Sequence, residues 1–282
     1  MPTPLELLNN PISQAVIAIF ALMIAWEAFA PARKLPKARL WKTRGLISFG
    51  VYMLLSSYLP MLWGSTLASW QLFDLTGLGT VGGALAAFLV YELGAYAYHR
   101  GMHSSNFLWR FLHQMHHSAE RVDTFGAFWF SPFDMIGWTA LSSLVFIVII
   151  GVTPNAATIA MLTITLLAVF QHANIRTPMW LGYIVQRPES HSRHHARGVH
   201  SDNYADLPVI DMLFGTFKNP PAFAEQQGFY DGASLRVGEM LIFKDVSEAK
   251  RERAAGTVAR EEMLDDNAPT LRREPAALGT RL

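Results

Sequence analysis

The feature that most narrows what this chain can fold into is where its charges are missing. Leu7 to Trp26 runs 20 residues without Asp, Glu, Lys or Arg, Gly45 to Phe73 runs 29, Leu75 to Tyr91 runs 17 and Met135 to Ile175 runs 41. A bilayer-crossing helix needs about 20 apolar residues, so these lengths read as membrane spans rather than as a large buried core. The chain is 51% hydrophobic and 16% charged over 282 residues, which is low in charge for a soluble protein. The first apolar run follows an acidic N-terminus and has no small-residue cleavage site, so it reads as a retained span and not as a signal peptide. A net charge of +1, with no basic patch interleaved by aromatics, gives no reason to expect a nucleic-acid partner.

Charge also orients the spans. Span 1 covers about Ile12 to Phe29, with Glu27 near its end, and the connector after it carries Arg33, Lys34, Lys37, Arg39, Lys42 and Arg44. Such a cluster beside a span marks the cytoplasmic side. Span 2, about Leu46 to Trp63, contains Pro60, which is expected to end or kink it. The next loop has Asp74 and no Lys or Arg, as an external loop should. Span 3, about Leu78 to Tyr98, returns inward. Its Gly79, Gly83 and Ala87 form a small-residue stripe suited to close helix packing, while Glu92, His99 and His103 project on nearly the opposite side. The longest uncharged run is too long for one helix and is broken at Gly151 to Asn155. It reads as a hairpin, about Phe133 to Ile150 and Ala156 to Gln171, with its tip outside. Pro178 to Val185 is too short to span and is expected at the interface. From about Val246 the chain is charged and Ala-rich, and reads as a solvated helix fraying into disorder. The expected fold is an all-α polytopic membrane bundle of about five spans with a cytoplasmic histidine-rich helical cap. It divides into N-terminal spans (1–76), a unit carrying the remaining spans and the histidines (77–220) and a cytoplasmic C-terminal tail (221–282).

All ten histidines lie between His99 and His200. His99 and His103 are four apart; His113, His116 and His117 form one H-x-x-H-H group; His191, His194 and His195 form another; His172 ends span 5. Residues three and four apart share a helix face, so each group is expected to aim its imidazoles at one point. The chain has no cysteine, which excludes thiolate ligands and iron–sulfur clusters and leaves nitrogen and oxygen to hold any metal. Nine candidate ligands are too many for one ion. Two six-coordinate metals offer about twelve positions, which leaves roughly three for water, hydroxide or dioxygen and suits a dinuclear redox centre. A lone boundary histidine is commonly an ordinary polar residue, and His200 reads that way unless it is an extra ligand. Glu92 either orients a ligand from the surrounding layer or pairs with Arg100, and Asn203 and Asp211 are further candidates for that layer. Tyr91, Tyr96, Tyr98 and the run Phe128, Trp129, Phe130 read as an interfacial aromatic belt rather than a substrate lining.

The order H-x-x-x-H (His99, His103), H-x-x-H-H (His113, His116, His117), His172 with Asn174, and H-x-x-H-H (His191, His194, His195) resembles the fatty acid hydroxylase and sterol desaturase superfamily. The segment Asn203 to Phe217 looks like that family's closing motif, with Ala205 where glycine is usual and Ile210 before Asp211 where tryptophan is common. The resemblance covers about Glu92 to Lys218. It implies a membrane-embedded site of two iron ions, for which zinc can substitute, that uses dioxygen and two electrons to hydroxylate or desaturate a lipid. With no Gly-rich dinucleotide fingerprint and no fused haem domain, the electrons are expected from an external cytochrome b5- or ferredoxin-type donor. The alternative is an integral membrane protein that binds or transports metal without oxygenase activity. A transporter would need ionisable residues along the ion's route near mid-membrane, whereas these spans carry only Glu27 and Glu92 by this reading. H-E-x-x-H, the mark of a membrane zinc protease, is absent.

Overall fold

Three of the long helices begin the same way, with a side-chain cap followed by proline at the first helical position. Helix α1 (Pro11–Phe29) is capped by Asn10, α4 (Pro132–Ser143) by Ser131 and α5 (Pro154–His172) by Thr153. The cap oxygen accepts a backbone N–H that the helix leaves unpaired, and proline lacks the N–H that would otherwise go unsatisfied there. In the computed structural model, which describes residues 1–248, these helices join α2 (Trp41–Ala68) and α3 (Gly79–Ser104). Five helices are long and apolar enough to cross a membrane: 11–29, 41–68, 76–104, 132–149 and 154–172. Their outward faces carry large apolar side chains, among them Leu22, Ile47, Leu62, Val81 and Leu85, each at least 58% exposed. A soluble monomer does not show so continuous an apolar exterior, and the fold is a multi-pass, all-α membrane bundle. Among the described residues the only isolated β feature is a single bridge between Ala196 and Gln227.

Two helices depart from the regular pattern. Pro60 does not end its span: α2 runs on to Ala68 with the proline inside it. α4 passes at Leu144–Ile149 into a π-helical turn, whose wider ring leaves carbonyls to be satisfied elsewhere. The loop after α2 supplies the donors, with Leu72 N–H to Val148 O at 2.7 Å and Phe73 N–H to Ile149 O at 3.1 Å. The hairpin tip at Gly151 has φ +47°, and a Cβ there would lie 2.2 Å from the Gln71 amide nitrogen, so the turn needs glycine.

α3 and α5 pack through small residues. A Cβ on Gly83 would lie 3.0 Å from the Ala156 Cβ, and Ala87 is buried against a cluster that includes Ala160 and Ile164. Gly79 does not belong to this contact; it has φ +66° at the entry to α3 and nothing within 4 Å. A second core stacks Phe20 of α1 on Phe49 of α2, centroids 4.3 Å apart, beside Phe128. Residues 1–247 form one compact unit. Within it Met240 and Val246 bury against Trp41 and Met115, and Ser234 N–H donates to Glu120. From residue 249 onward the charged tail read as a fraying helix lies outside the described residues.

Candidate metal centre

The ends of α3 and α5, the turn at 109–117 and the short helix α6 (Pro188–His194) meet at one end of the bundle. Nine histidines from these segments fall into two groups, His99, His103, His113, His117 and His194 in one and His116, His172, His191 and His195 in the other. Within each group the ligand nitrogens all lie within 4.8 Å of one another. The groups are adjacent, with the rings of His117 and His195 stacked at 4.1 Å.

This division overturns the expectation that each H-x-x-H-H group aims at one point. His113 and His117 serve one group while His116 serves the other; His191 and His195 share a group while His194 crosses over. The physical reason is helical phase. Positions i and i+4 differ by about 40° around the axis, whereas i+3 and i+4 differ by about 100°. Each motif therefore straddles both groups. A second π turn, Trp109–His113, adjusts the phase where His113 enters.

The hydrogen bonds around the rings decide what the site can hold. His99 Nδ1 lies 2.9 Å from the Tyr204 carbonyl, His194 Nδ1 2.7 Å from the Asp202 carbonyl and His172 Nδ1 2.6 Å from the Ala168 carbonyl. A carbonyl only accepts, so each Nδ1 carries the proton and each neutral ring turns an Nε2 lone pair inward. Yet His99 Nε2 and His194 Nε2 stand 3.1 Å apart, and His113 Nε2 lies 3.0 Å from His99 Nε2. In the other group the Nε2 contacts are 3.0 Å for His191–His172 and His195–His191 and 3.1 Å for His172–His116. Facing lone pairs repel unless a cation lies between them. Metal–nitrogen bonds of about 2.1 Å at right angles put adjacent donors about 3.0 Å apart. The buried, partnerless nitrogens of His103 and Nε2 of His117 fit the same requirement. Burial first, then the neighbouring imidazoles, pushes His113, His116, His117, His191 and His195 well below the ordinary histidine range; His194 follows through burial and His99. The neutral form is the one that coordinates metal.

A supporting layer holds these rings. Asp134 Oδ2 lies 2.8 Å from His113 Nδ1. The sequence reading missed Asp134, because it stands alone at the edge of an apolar run; a buried acid in the first turn of a span was the available signal. Asp211 accepts the N–H groups of Tyr204 at 2.8 Å and Ala205 at 3.0 Å, and Asn203 bonds Ser190 O and receives Lys218 N–H. Both thereby fix the loop whose carbonyls face His99 and His194. Glu92 is fully buried and accepts the N–H groups of Asp206 and Leu207 at 2.9 and 3.0 Å. Arg100 instead donates to Tyr96 Oη, so the Glu92–Arg100 pair does not form. His200 lies in neither group and packs on Trp109.

Above the histidines is an apolar cavity lined by Tyr52, Tyr91, Phe128, Phe130, Trp138 and Ile164 among others. Tyr91, Phe128 and Phe130 thus face the site rather than an interfacial belt, while Tyr96, Tyr98 and Trp129 pack on Phe214, Trp138 and Trp41. Asp206, with Gln171 donating to it at 2.8 Å, forms a polar edge, and burial pushes its carboxyl up to about 7.

Residues 84–216 match the sequence profile of the family described as fatty acid hydroxylase. The chain is 32% identical over 138 residues to an ornithine lipid hydroxylase, OlsE, of Rhizobium tropici, covering 47% of this chain and 41% of that protein. It is 24% identical over 160 residues to the very-long-chain aldehyde decarbonylase GL1-9 of Oryza sativa subsp. indica, covering 54% of this chain and 60% of that protein. The matches therefore span less than two thirds of either relative. No solved structure matches the chain.

Proposed function

We propose that this chain, whose residues 84–216 match the fatty acid hydroxylase family, is a membrane-bound non-haem di-iron oxygenase that hydroxylates or desaturates a lipid C–H bond. His99, His103, His113, His117 and His194 hold one iron and His116, His172, His191 and His195 the other. The single observation that carries this reading is the convergence of Nε2 atoms 3.0 to 3.1 Å apart in both groups, with Nδ1 of His99, His172 and His194 tied to carbonyls and Nδ1 of His113 to Asp134.

The bound iron supplies, with dioxygen and two electrons, the oxidising power that no side chain has. In hydroxylation one oxygen atom enters the lipid and the other leaves as water with two protons; in desaturation the lipid loses two hydrogens and both oxygens leave as water. The chain's own residues do the rest. Asp134 and the carbonyls of Ala168, Asp202 and Tyr204 keep the tautomers and rings of His113, His172, His194 and His99 in place. Phe130, whose ring lies 4.4 Å from that of His116, and Trp138 exclude water from the reacting side. The electrons come from an external cytochrome b5- or ferredoxin-type donor. The histidine end faces the cytoplasm, a reading supported by Ala32 N–H donating to Asn174 O, which draws the basic connector of Arg33 to Arg44 to the same end of the bundle as His172.

The test is metal analysis joined to lipid analysis. Protein made with adequate iron should carry about two irons per chain, since nine imidazoles exceed what about six positions on one ion can take. Lipid extracts of cells with the gene should gain a species heavier by one oxygen or lighter by two hydrogens. One ion per chain, unchanged in both His113→Ala and His194→Ala, would overturn the shared site.

A further inference from the structure

Two histidines of the second group have a partner at Nδ1, and the two partners differ in kind. His172 faces the Ala168 carbonyl, which can only accept, whereas His191 Nδ1 faces the side-chain amide of Gln186 at 3.3 Å. An amide can accept or donate, so this contact alone leaves the tautomer of His191 open. What closes it lies further along a row of polar groups. The Gln186 amide also bonds the Gln171 amide, and Gln171 Nε2 donates to Asp206 Oδ1 at 2.8 Å. Among the described residues Asp206 makes no hydrogen bond to a histidine and reaches His191 through the two amides.

The row has two complete directions, and they are opposite. With Asp206 ionised, Gln171 donates to it, Gln186 Nε2 donates to Gln171 Oε1 and to His191 Nδ1, and the proton of the neutral His191 ring stands on Nε2. That Nε2–H then donates to His172 Nε2, 3.0 Å away, in place of binding a metal. With Asp206 protonated, its O–H donates to Gln171 Oε1, Gln171 Nε2 donates to Gln186 Oε1, and Gln186 Oε1 also accepts His191 Nδ1–H. His191 Nε2 then turns a lone pair toward the other three histidines. A mixed row would set two donors or two acceptors against each other away from water, which burial penalises.

The surroundings allow Asp206 to hold the proton. Its carboxyl lines the apolar cavity and has no Lys or Arg partner among the described residues, and a carboxyl so placed favours its neutral form. The titratable groups facing it are Glu92 and Tyr91 of α3 and Asp211 of the short helix Pro208–Leu213, none of them a cation. Burial, with the Asp211 charge adding to it, pushes the Asp206 carboxyl up to about 7, so both directions of the row fall within ordinary conditions.

Resting on the metal-centre reading above, we propose that Asp206 is a positioning residue for His191: acting through Gln171 and Gln186, its O–H group fixes the Nδ1–H tautomer that frees Nε2 for metal. Loading the four-histidine group is thereby tied to proton uptake. Nε2 of His191 gives up its proton while His191 Nδ1 and Asp206 Oδ1 each gain one, so the net is one proton drawn from solvent.

The test counts protons. Full-length protein in detergent is loaded with zinc at about pH 8 in weak buffer with a pH-indicator dye, and bound metal is measured on the same sample. His116, His191 and His195 titrate well below that pH and release nothing. The parent protein should take up about one proton per chain more than Asp206→Asn, whose amide N–H donates to Gln171 Oε1 at any pH. Gln171→Met, which keeps Asp206 and breaks the row, should also lose the extra proton. The sign separates the row from plain electrostatics, because a cation beside a carboxyl drives its proton off, whereas the row draws one on. Infrared spectra of the parent should gain, on loading, a protonated-carboxyl band that is missing from Asp206→Asn. Full zinc loading with equal proton counts in the parent and Asp206→Asn, an extra proton that survives in Gln171→Met, or loading without the carboxyl band would each overturn the relay and leave the metal centre standing. Zinc content unchanged in His191→Ala and His172→Ala together would sink the four-histidine site, and the relay with it.

Discussion

At the scale of single residues, the informative contacts are those that fix which ring nitrogen carries a proton. Asp134→Asn should cut metal affinity by about 10- to 100-fold, as loss of a partner behind a ligand usually does, whereas His200→Ala should leave metal content unchanged because His200 lies in neither group. Competition with a chelator, read by metal analysis, separates the two variants; equal effects would remove Asp134 from its positioning role. The depressed histidines also make the metal-free protein acid-sensitive. In unfolded chains these imidazoles take up protons near pH 6.5, while the folded cluster takes them up only at lower pH. The unfolded state therefore binds more protons in that interval, and stability falls as pH drops through it. Chelator-treated protein should lose thermal stability between about pH 8 and about pH 5.5; a flat profile would contradict the burial of neutral rings. The histidines themselves were legible because imidazoles at three- and four-residue spacing serve no packing purpose. Their allocation to two groups was not, because it depends on phase differences and a π turn that spacing does not display. The roles of Tyr204 and Asp202 were hidden for another reason: they act through backbone carbonyls, which every residue has.

At the scale of helices, close approach is set by where a side chain is missing. Gly45 and Gly50 lie on one helix, α2, yet a Cβ on Gly45 would stand 2.2 Å from the Phe125 carbonyl oxygen and one on Gly50 would meet nothing within 4 Å. Gly45→Ala should therefore destabilise by about 1–3 kcal/mol through forced separation of α2 from the 124–126 turn. Gly50→Ala should be neutral or stabilising by up to about 1 kcal/mol, because alanine has less backbone freedom to lose. Thermal unfolding in one detergent distinguishes them, and equal midpoints would show that α2 and the turn are not in firm contact. Span positions were readable because charges or capping residues bound each apolar run: Asn10, Ser131 and Thr153 stand where three helices start. The continuation of α2 past Pro60 was not readable. Local sequence shows only that proline removes one hydrogen bond, and in a bundle neighbouring helices decide whether the helix survives that loss.

At the scale of the whole molecule, one end of the bundle gathers segments that are far apart in the chain. Glu27 of α1 accepts from Thr124 and Asn174, Arg44 of α2 donates to Ser234, and Val246 N–H donates to Gln114 across 132 positions. These contacts have no local signature, which is why the arrangement of residues 221–247 could not be read from composition. The gathering of the histidines at one end of the bundle could be read, because a helical hairpin returns the chain to the side it left. The connector between α1 and α2 holds six Lys and Arg residues, Arg33 to Arg44, and a polytopic protein keeps such a connector in the cytoplasm. On the proposed orientation, α2 would cross outward from there and α3 return, bringing His99 to His117 inside. α4 and α5 cross and return again, which brings His172 and the group from His191 to His195 to the same side. An odd number of crossings between any two histidine groups would divide the centre across the bilayer, so the shared site and the two-crossing hairpin of α4 and α5 stand or fall together. Reporter fusions test the hairpin and its orientation at once. A fusion after Gly151 should be active only as an external reporter and one after Arg197 only as a cytoplasmic reporter. The same compartment at both points would break the hairpin. The two compartments exchanged would keep the shared site and reverse only its orientation, placing the electron donor on the other face of the membrane.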